Sequence, residues 1–195
     1  MGLKMLHQLR DTSDTPKVVL CLGANIGNYT RERALDFLKS IAKELNSGDK
    51  LLIGFDLKKD PNVILSAYDD PEGITAAFNL NLLRRMNREL GANFELEGFR
   101  HWETYNPITG ATKSYIVSKK EQHVFIKALN RSFRFAAWEA VDVELSQKYS
   151  LPEVEDMAAA AGFTVEQHFT DSKNYFVDSL WRVGYTDDEV VGDQP

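Results

Sequence analysis

Residues 17–56 read KVVLCLGANIGNYTRERALDFLKSIAKELNSGDKLLIGFD, and this stretch decides the fold. Lys17 to Leu22 is an unbroken aliphatic and β-branched run, which suits a strand covered on both faces, as in a parallel sheet. Gly23 to Asn28 (GANIGN) follows as a turn. Thr30 stands where a helix N-cap is needed, and Glu32 falls in the first turn, where a carboxylate meets the positive end of the helix dipole. Leu35, Leu38, Ile41, Ala42 and Leu45 recur at helical spacing, and Asn46-Ser47-Gly48 closes the helix. Lys50 to Phe55 is a second buried strand ending at Asp56. Strand, turn, helix and strand make a βαβ unit of a doubly wound α/β sheet. Ligands of such sheets lie beyond the carboxyl ends of the strands, the edge that holds both GANIGN and Asp56.

Outward from this unit, the first sixteen residues read as a short helical piece and a loop. Pro61 to Tyr68 predicts a helix, Asp69-Asp70-Pro71 a break, and Glu72 to Leu90 a long helix with Ile74, Phe78, Leu82, Leu83 and Met86 on one face. From Phe94 the pattern changes. Thr112–Val117, His123–Leu129 and Phe133–Trp138 are aromatic or β-branched runs, and Asn106-Pro107 with Thr109-Gly110 supplies a turn, so antiparallel strands are expected between Phe99 and Val143. Val154 to Ala161 reads as a helix closed by Gly162, followed by strands at Phe163–Phe169 and Tyr175–Val183 and a tail from Gly184 to Pro195. The expected organisation is residues 1–58 as one half of the α/β body, 59–150 as a helix-plus-antiparallel-β insert, and 151–195 as the closing part of the body and the tail.

Composition narrows the function classes. With 43% hydrophobic and 27% charged residues the chain is globular, and at 195 residues it can bury a substantial core. Its net charge of −6 is spread without a basic cluster, which argues against a nucleic-acid partner and for a small-molecule substrate. The single cysteine, Cys21, reads as a small buried hydrophobe and permits no intrachain disulfide, so a reducing, cytoplasmic setting is expected. No secretory signal or membrane span is apparent, and no membrane partner is expected.

The motifs taken singly are weak. GANIGN spaces Gly23 and Gly27 as G-x-x-x-G, which is not the dinucleotide fingerprint, and on its own it reads as a strand-to-helix turn. Glu144 and Ser146 point to the same side of an extended segment. Such a pair can grip an imidazole, the carboxylate accepting one N–H and the hydroxyl serving the other nitrogen, although an exposed polar pair on a strand is the commoner case. The four histidines, His7, His101, His123 and His168, lack ligand spacing, so no metal site is expected. Neither a Cys/His nucleophile pair nor a serine elbow occurs. Asp69-Asp70 reads as a helix boundary, and Phe94, Phe99, Trp102 and Tyr105 as core.

In their order and spacing these segments resemble one family. VVLCLGANIGNYTRERALDFLKSIAKELNSGDKLLIGFDLKKD (18–60), AYDDPEGITAAFNLNLLRRMNREL (67–90), ELSQKYS (144–150) and AAAGF (159–163) are similar to the histidine-specific methyltransferases. Members of that family use S-adenosylmethionine to trimethylate the amino group of histidine in ergothioneine biosynthesis, and a related fungal group N-methylates a prenylated tryptophan. The resemblance runs from Lys17 to Val183. It implies a partial Rossmann-like methyltransferase sheet with a substrate-binding insert, S-adenosylmethionine as methyl donor, and an amino-acid substrate. It further implies that Asn28 holds the amino-acid backbone, Tyr68 the carboxylate with Thr75 close by, and that Glu144 and Ser146 grip the imidazole. Gly23 is the implied contact to the donor, and no residue is assigned as a general base. Keeping the Glu-x-Ser pair favours histidine over a tryptophan-derived amine.

The resemblance begins at a middle strand of the family's sheet. It implies an N-terminally truncated member without the first strands, which carry the glycine-rich loop and the acidic residue that bind the donor. An unpaired flank of the Lys17–Leu22 strand is then expected to associate with a second copy or another polypeptide. The competing expectation is a methyltransferase-like module that binds or oligomerises without catalysis.

Overall fold

The computed structural model describes Leu6, Gln8 and residues 15–184. The expected N-terminal helical piece and the tail fall mostly outside these. The described chain forms two compact units, one taking in the chain up to Lys58 and again from Gln147, the other being Lys59–Ser146.

The first unit is built on a four-stranded sheet of β1 (Val18–Cys21), β2 (Lys50–Asp56), β8 (Phe163–Thr170) and β9 (Phe176–Val183), in the order β1-β2-β9-β8. β1 and β2 are parallel, and β9 runs antiparallel to both β2 and β8. Helix α1 (Arg31–Ala42) connects β1 to β2. Its N-cap is Thr30, whose hydroxyl accepts from the Arg33 N–H. Helix α4 (Leu151–Ala160) starts three residues before the Val154 expected from periodicity. The reason is a capping box: the Ser150 hydroxyl accepts from the Glu153 N–H while the Glu153 carboxylate accepts from the Ser150 N–H.

The core of this unit lies on one face of its sheet. Leu38 and Ile41 of α1, and Val154, Met157 and Ala158 of α4, pack with Leu51, Ile53 and Phe55 of β2 and with Trp181 of β9. Phe55 stacks on Trp181 and meets the Tyr149 ring edge-on. Asp49, almost fully buried, accepts from the Lys17 and Asn46 N–H groups and so ties the entries of β1 and β2 together.

The expectation that Lys17–Leu22 is covered on both faces is overturned. Val19 and Cys21 pack against the core, but Val18, Leu20 and Leu22 are 57%, 59% and 55% exposed. Helices α1 and α4 supply side chains to the other face, and among the described residues β1 stands at the sheet's edge. A continuous apolar run reads the same whether one face or two is covered, so the sequence pattern could not separate the cases.

The second unit holds α2 (Pro61–Tyr68), α3 (Ile74–Leu90) and two antiparallel sheets. One contains β3 (Phe99–Asn106), β4 (Ala111–Ser118) and β7 (Ala140–Gln147, whose last residue begins the return to the first unit). The other pairs β5 (Gln122–Ile126) with β6 (Arg131–Phe135). Asp60 caps α2, and Asp70 precedes α3, accepting from the Ile74 and Thr75 N–H groups. Those two donors hold the Asp70 carboxyl down at about 2. Leu83 of α3 is buried with Phe94, Phe99, Ile116, Val124 and Ile126, and Leu80 and Met86 pack on them. Ile74 and Phe78, expected on the same apolar face, are instead 64% and 71% exposed. The helix is rolled so that Asn79 points inward and hydrogen-bonds His101. Trp102, expected in the core with Phe94 and Phe99, is exposed, because it alternates with the buried His101 and Glu103 along β3.

Candidate functional site

In the first unit the features expected at the carboxyl edge of β1 lie around one cavity. GANIGN folds as a 3-10 turn over Asn25–Asn28. A cavity of about 410 Å³ is lined by Asn25, Ile26, Asn28, Tyr29, Phe37, Cys21, Leu22 and Ile53. Tyr29 and Phe37 stack with ring centroids 5.7 Å apart. Gly23 leaves β1 with φ of +79°, a conformation that glycine adopts without steric cost. Gly27 serves a different need, since a Cβ there would lie 2.8 Å from the Gln147 carbonyl oxygen. The turn thus packs directly on the backbone of the residue that follows Ser146. The lining offers two amides, aliphatic side chains and a stacked aromatic pair. This fits the uncharged faces of a large organic ligand, and no lining residue brings a carboxylate.

In the second unit the Glu-x-Ser strand and the AYDD tyrosine come together. Tyr68 is the last residue of α2, and its phenol donates a 2.8 Å hydrogen bond to the Ser146 hydroxyl, across 78 residues of sequence. Ser146 is buried, against the commoner expectation of an exposed strand serine. Glu144 is half-buried and lines a groove of about 250 Å³ with Phe78, Asn79, Asn81, Leu82, Arg85 and Val143. Thr75 lies in the first turn of α3, its N–H held by Asp70, on the rim of a separate shallow hollow. Asn28 and Gly23 belong to the first unit; Tyr68, Thr75, Glu144 and Ser146 belong to the second.

Sequence reasoning missed the polar side chains packed behind Tyr68. His101 and Glu103 are 3% and 1% exposed at their side chains, and His101 Nε2 lies 3.0 Å from the Tyr68 carbonyl oxygen. Ligand spacing among the histidines says nothing of this role for His101. The available signal was the alternation of two ionisable residues, at 101 and 103, on the inward side of a strand. Among the described residues no cluster of His, Cys, Asp or Glu could hold a metal ion, and no helix is long and apolar enough to cross a membrane.

Comparisons with known proteins show the family. A histidine N-alpha-methyltransferase of Mycolicibacterium smegmatis is 38% identical over 164 residues, covering 84% of this chain and 51% of that protein. Ergothioneine biosynthesis protein 1 of Schizosaccharomyces pombe is 31% identical over 180 residues, covering 90% of this chain and 23% of that one. An L-tryptophan methyltransferase of Psilocybe serbica is 29% identical over 180 residues, covering 88% and 49%. The chain spans about half the length of the mycobacterial-type relatives it matches. Residues 3–183 match the family model described as histidine-specific methyltransferase, SAM-dependent, and the chain belongs to that family.

Proposed function

We propose that this chain takes part in S-adenosylmethionine-dependent methylation of the α-amino group of histidine, the reaction of an ergothioneine-type pathway. The observation that carries the reading is the Tyr68–Ser146 hydrogen bond beside Glu144. It supports a polar site for an imidazole and an amino-acid head group, where scattered surface residues would not. By accepting from Tyr68, Ser146 has the directions open to its own O–H restricted, which suits a hydroxyl that serves a ring nitrogen. Glu144 accepts the opposite ring N–H and Tyr68 holds the carboxylate, with Thr75 nearby; the family resemblance assigns the amino-acid backbone to Asn28 of the first unit. The names of the relatives support histidine as substrate.

A bound donor supplies an electrophilic methyl group on a sulfonium. With the donor bound, the N–C bond would form as the C–S bond breaks, the electron pair staying on sulfur and a proton passing to solvent in each transfer that starts from an N–H amine. The substrate amine must be neutral to attack, so the protein's contribution is to orient it and exclude water. The cavity beside Gly23 and Asn28 supports contact with the uncharged faces of the donor. Its lining has no carboxylate to take the ribose hydroxyls, so these residues suit part of a donor site.

Calorimetric titration with histidine, tryptophan and S-adenosylhomocysteine tests the reading. Histidine should bind more tightly than tryptophan, and Glu144→Ala should abolish that preference. Unchanged histidine affinity in Glu144→Ala would remove the imidazole assignment. Among the described residues β1 stands at the edge of its sheet, which supports association through that edge with a second copy or another polypeptide. Concentration-dependent light scattering is expected, and a monodisperse monomer contradicts it. A reducing, cytoplasmic setting belongs to the same reading and is supported by the free thiol of Cys21.

A further inference from the structure

Tyr68 ends α2, so its backbone carbonyl is one of those that a helix terminus leaves without an intrahelical partner. His101 on β3 supplies a partner at 3.0 Å through Nε2. A carbonyl oxygen can only accept, so Nε2 carries the hydrogen. Nδ1 lies 3.3 Å from the side-chain nitrogen of Asn79, and in that arrangement it accepts from the amide. The Glu103 carboxylate lies 3.8 Å from Nε2, on the same side of β3. A hydrogen on Nε2, with Nδ1 accepting from the amide, suits all three neighbours. Asn79 and Glu103 are buried, and the His101 side chain is 3% exposed, so water is largely kept from the arrangement.

Tyr68 is therefore gripped twice. Its backbone is held by the imidazole, and its phenol is held by Ser146. The backbone grip decides where the end of α2 lies, and that position decides where the phenol reaches. A histidine that merely filled the core would need packing contacts alone. This one has polar partners on both ring nitrogens, from two helices, and one of them is the carbonyl of the tyrosine itself.

We propose that His101 is a positioning residue. In its Nε2–H form, set by Asn79 and Glu103, it fixes the backbone of Tyr68 and so aims the phenol at Ser146 and at the substrate head group. The substrate part rests on the reading of Tyr68 given above; the aiming of the phenol does not.

The test separates the two. The full chain is labelled with 3-fluorotyrosine, and the Tyr68 resonance is assigned by its loss in Tyr68→Phe. His101→Leu removes the donor and should shift and broaden that resonance. His101→Gln can restore an N–H near the same place and should return it towards the original position. Histidine affinity should fall about five- to tenfold in His101→Leu, the size expected for loss of one hydrogen bond's worth of orientation, and recover in His101→Gln. A Tyr68 resonance that stays put in a folded His101→Leu overturns the proposal, whether or not histidine binds. If Tyr68→Phe leaves histidine binding unchanged, the substrate reading fails while the fluorine signal still decides the positioning role. Long-range 15N–1H correlation on the unsubstituted chain needs no variant to fold. A hydrogen on Nε2 of His101 is expected, and a hydrogen on Nδ1 alone overturns the proposal.

Discussion

Replacing Glu153 by glutamine should destabilise the first unit by an amount that shrinks as the pH falls. The Glu153 carboxylate sits at a junction. One oxygen accepts from Arg31 at 2.6 Å and from Lys58 at 2.9 Å, tying the start of α1 and the end of β2 to α4. The other accepts from the Ser150 N–H at 2.7 Å and the Ser150 hydroxyl at 3.0 Å. Burial by itself pushes the carboxyl up. The Ser150 N–H, the Lys58 ammonium, the Arg31 guanidinium and the Ser150 hydroxyl together pull it down further, from 4.5 to about 2. At ~1.4 kcal/mol per unit this displacement corresponds to roughly 3 kcal/mol. With 24% of the side chain exposed, solvent screening brings the expected figure to about 2 kcal/mol. The folded-state value is depressed, so the contribution is fully present above the unfolded-state value near 4.5. It is lost as the pH falls towards about 2. Integration puts about half of the loss between pH 5 and pH 3. Denaturant unfolding of the parent and Glu153→Gln proteins over that range reads the difference directly. Trp181 reports on this unit when Trp102 and Trp138 are replaced by phenylalanine. A gap between the two proteins that stays constant from neutral pH to about pH 3 would show that Glu153 titrates alike in the folded and unfolded chains, and the reasoning would be wrong.

Two further outcomes are expected from the first unit. Gly27→Ala places a Cβ 2.8 Å from the Gln147 carbonyl oxygen and 3.3 Å from its nitrogen, both backbone atoms that cannot swing aside. It should cost ~1–3 kcal/mol by overpacking, read as a lowered thermal midpoint, and an unchanged midpoint would mean that the turn does not rest on that segment. Burial pushes the Cys21 thiol up, so its alkylation by iodoacetamide near pH 8 should be slower in the folded chain than in the same chain in denaturant. Equal rates would contradict the packing of Cys21 against the core.

Much of this protein was determined by local sequence. The βαβ segment, the helix at Pro61–Tyr68 and the antiparallel runs between Phe99 and Val143 follow from apolar period, from Thr30 as a cap, and from turn residues at Asn106–Gly110. All of these act over a few residues along the chain. The start of α4 was legible too, in the Ser150-x-x-Glu153 box, had it been weighed above periodicity. Tertiary structure alone decided what depends on partners distant in sequence. Val18 and Leu20 look like core residues, yet they are exposed, because exposure is set by what covers a sheet face and not by the strand itself. Asn79 faces inward, where it meets His101 of β3, and Phe78 faces outward, an orientation set by what packs against α3 and not by its apolar stripe. Tyr68 and Ser146 carry no local sign of each other across 78 residues, and only the packing of α2 beside β3 and the exit of β7 brings the phenol to the hydroxyl.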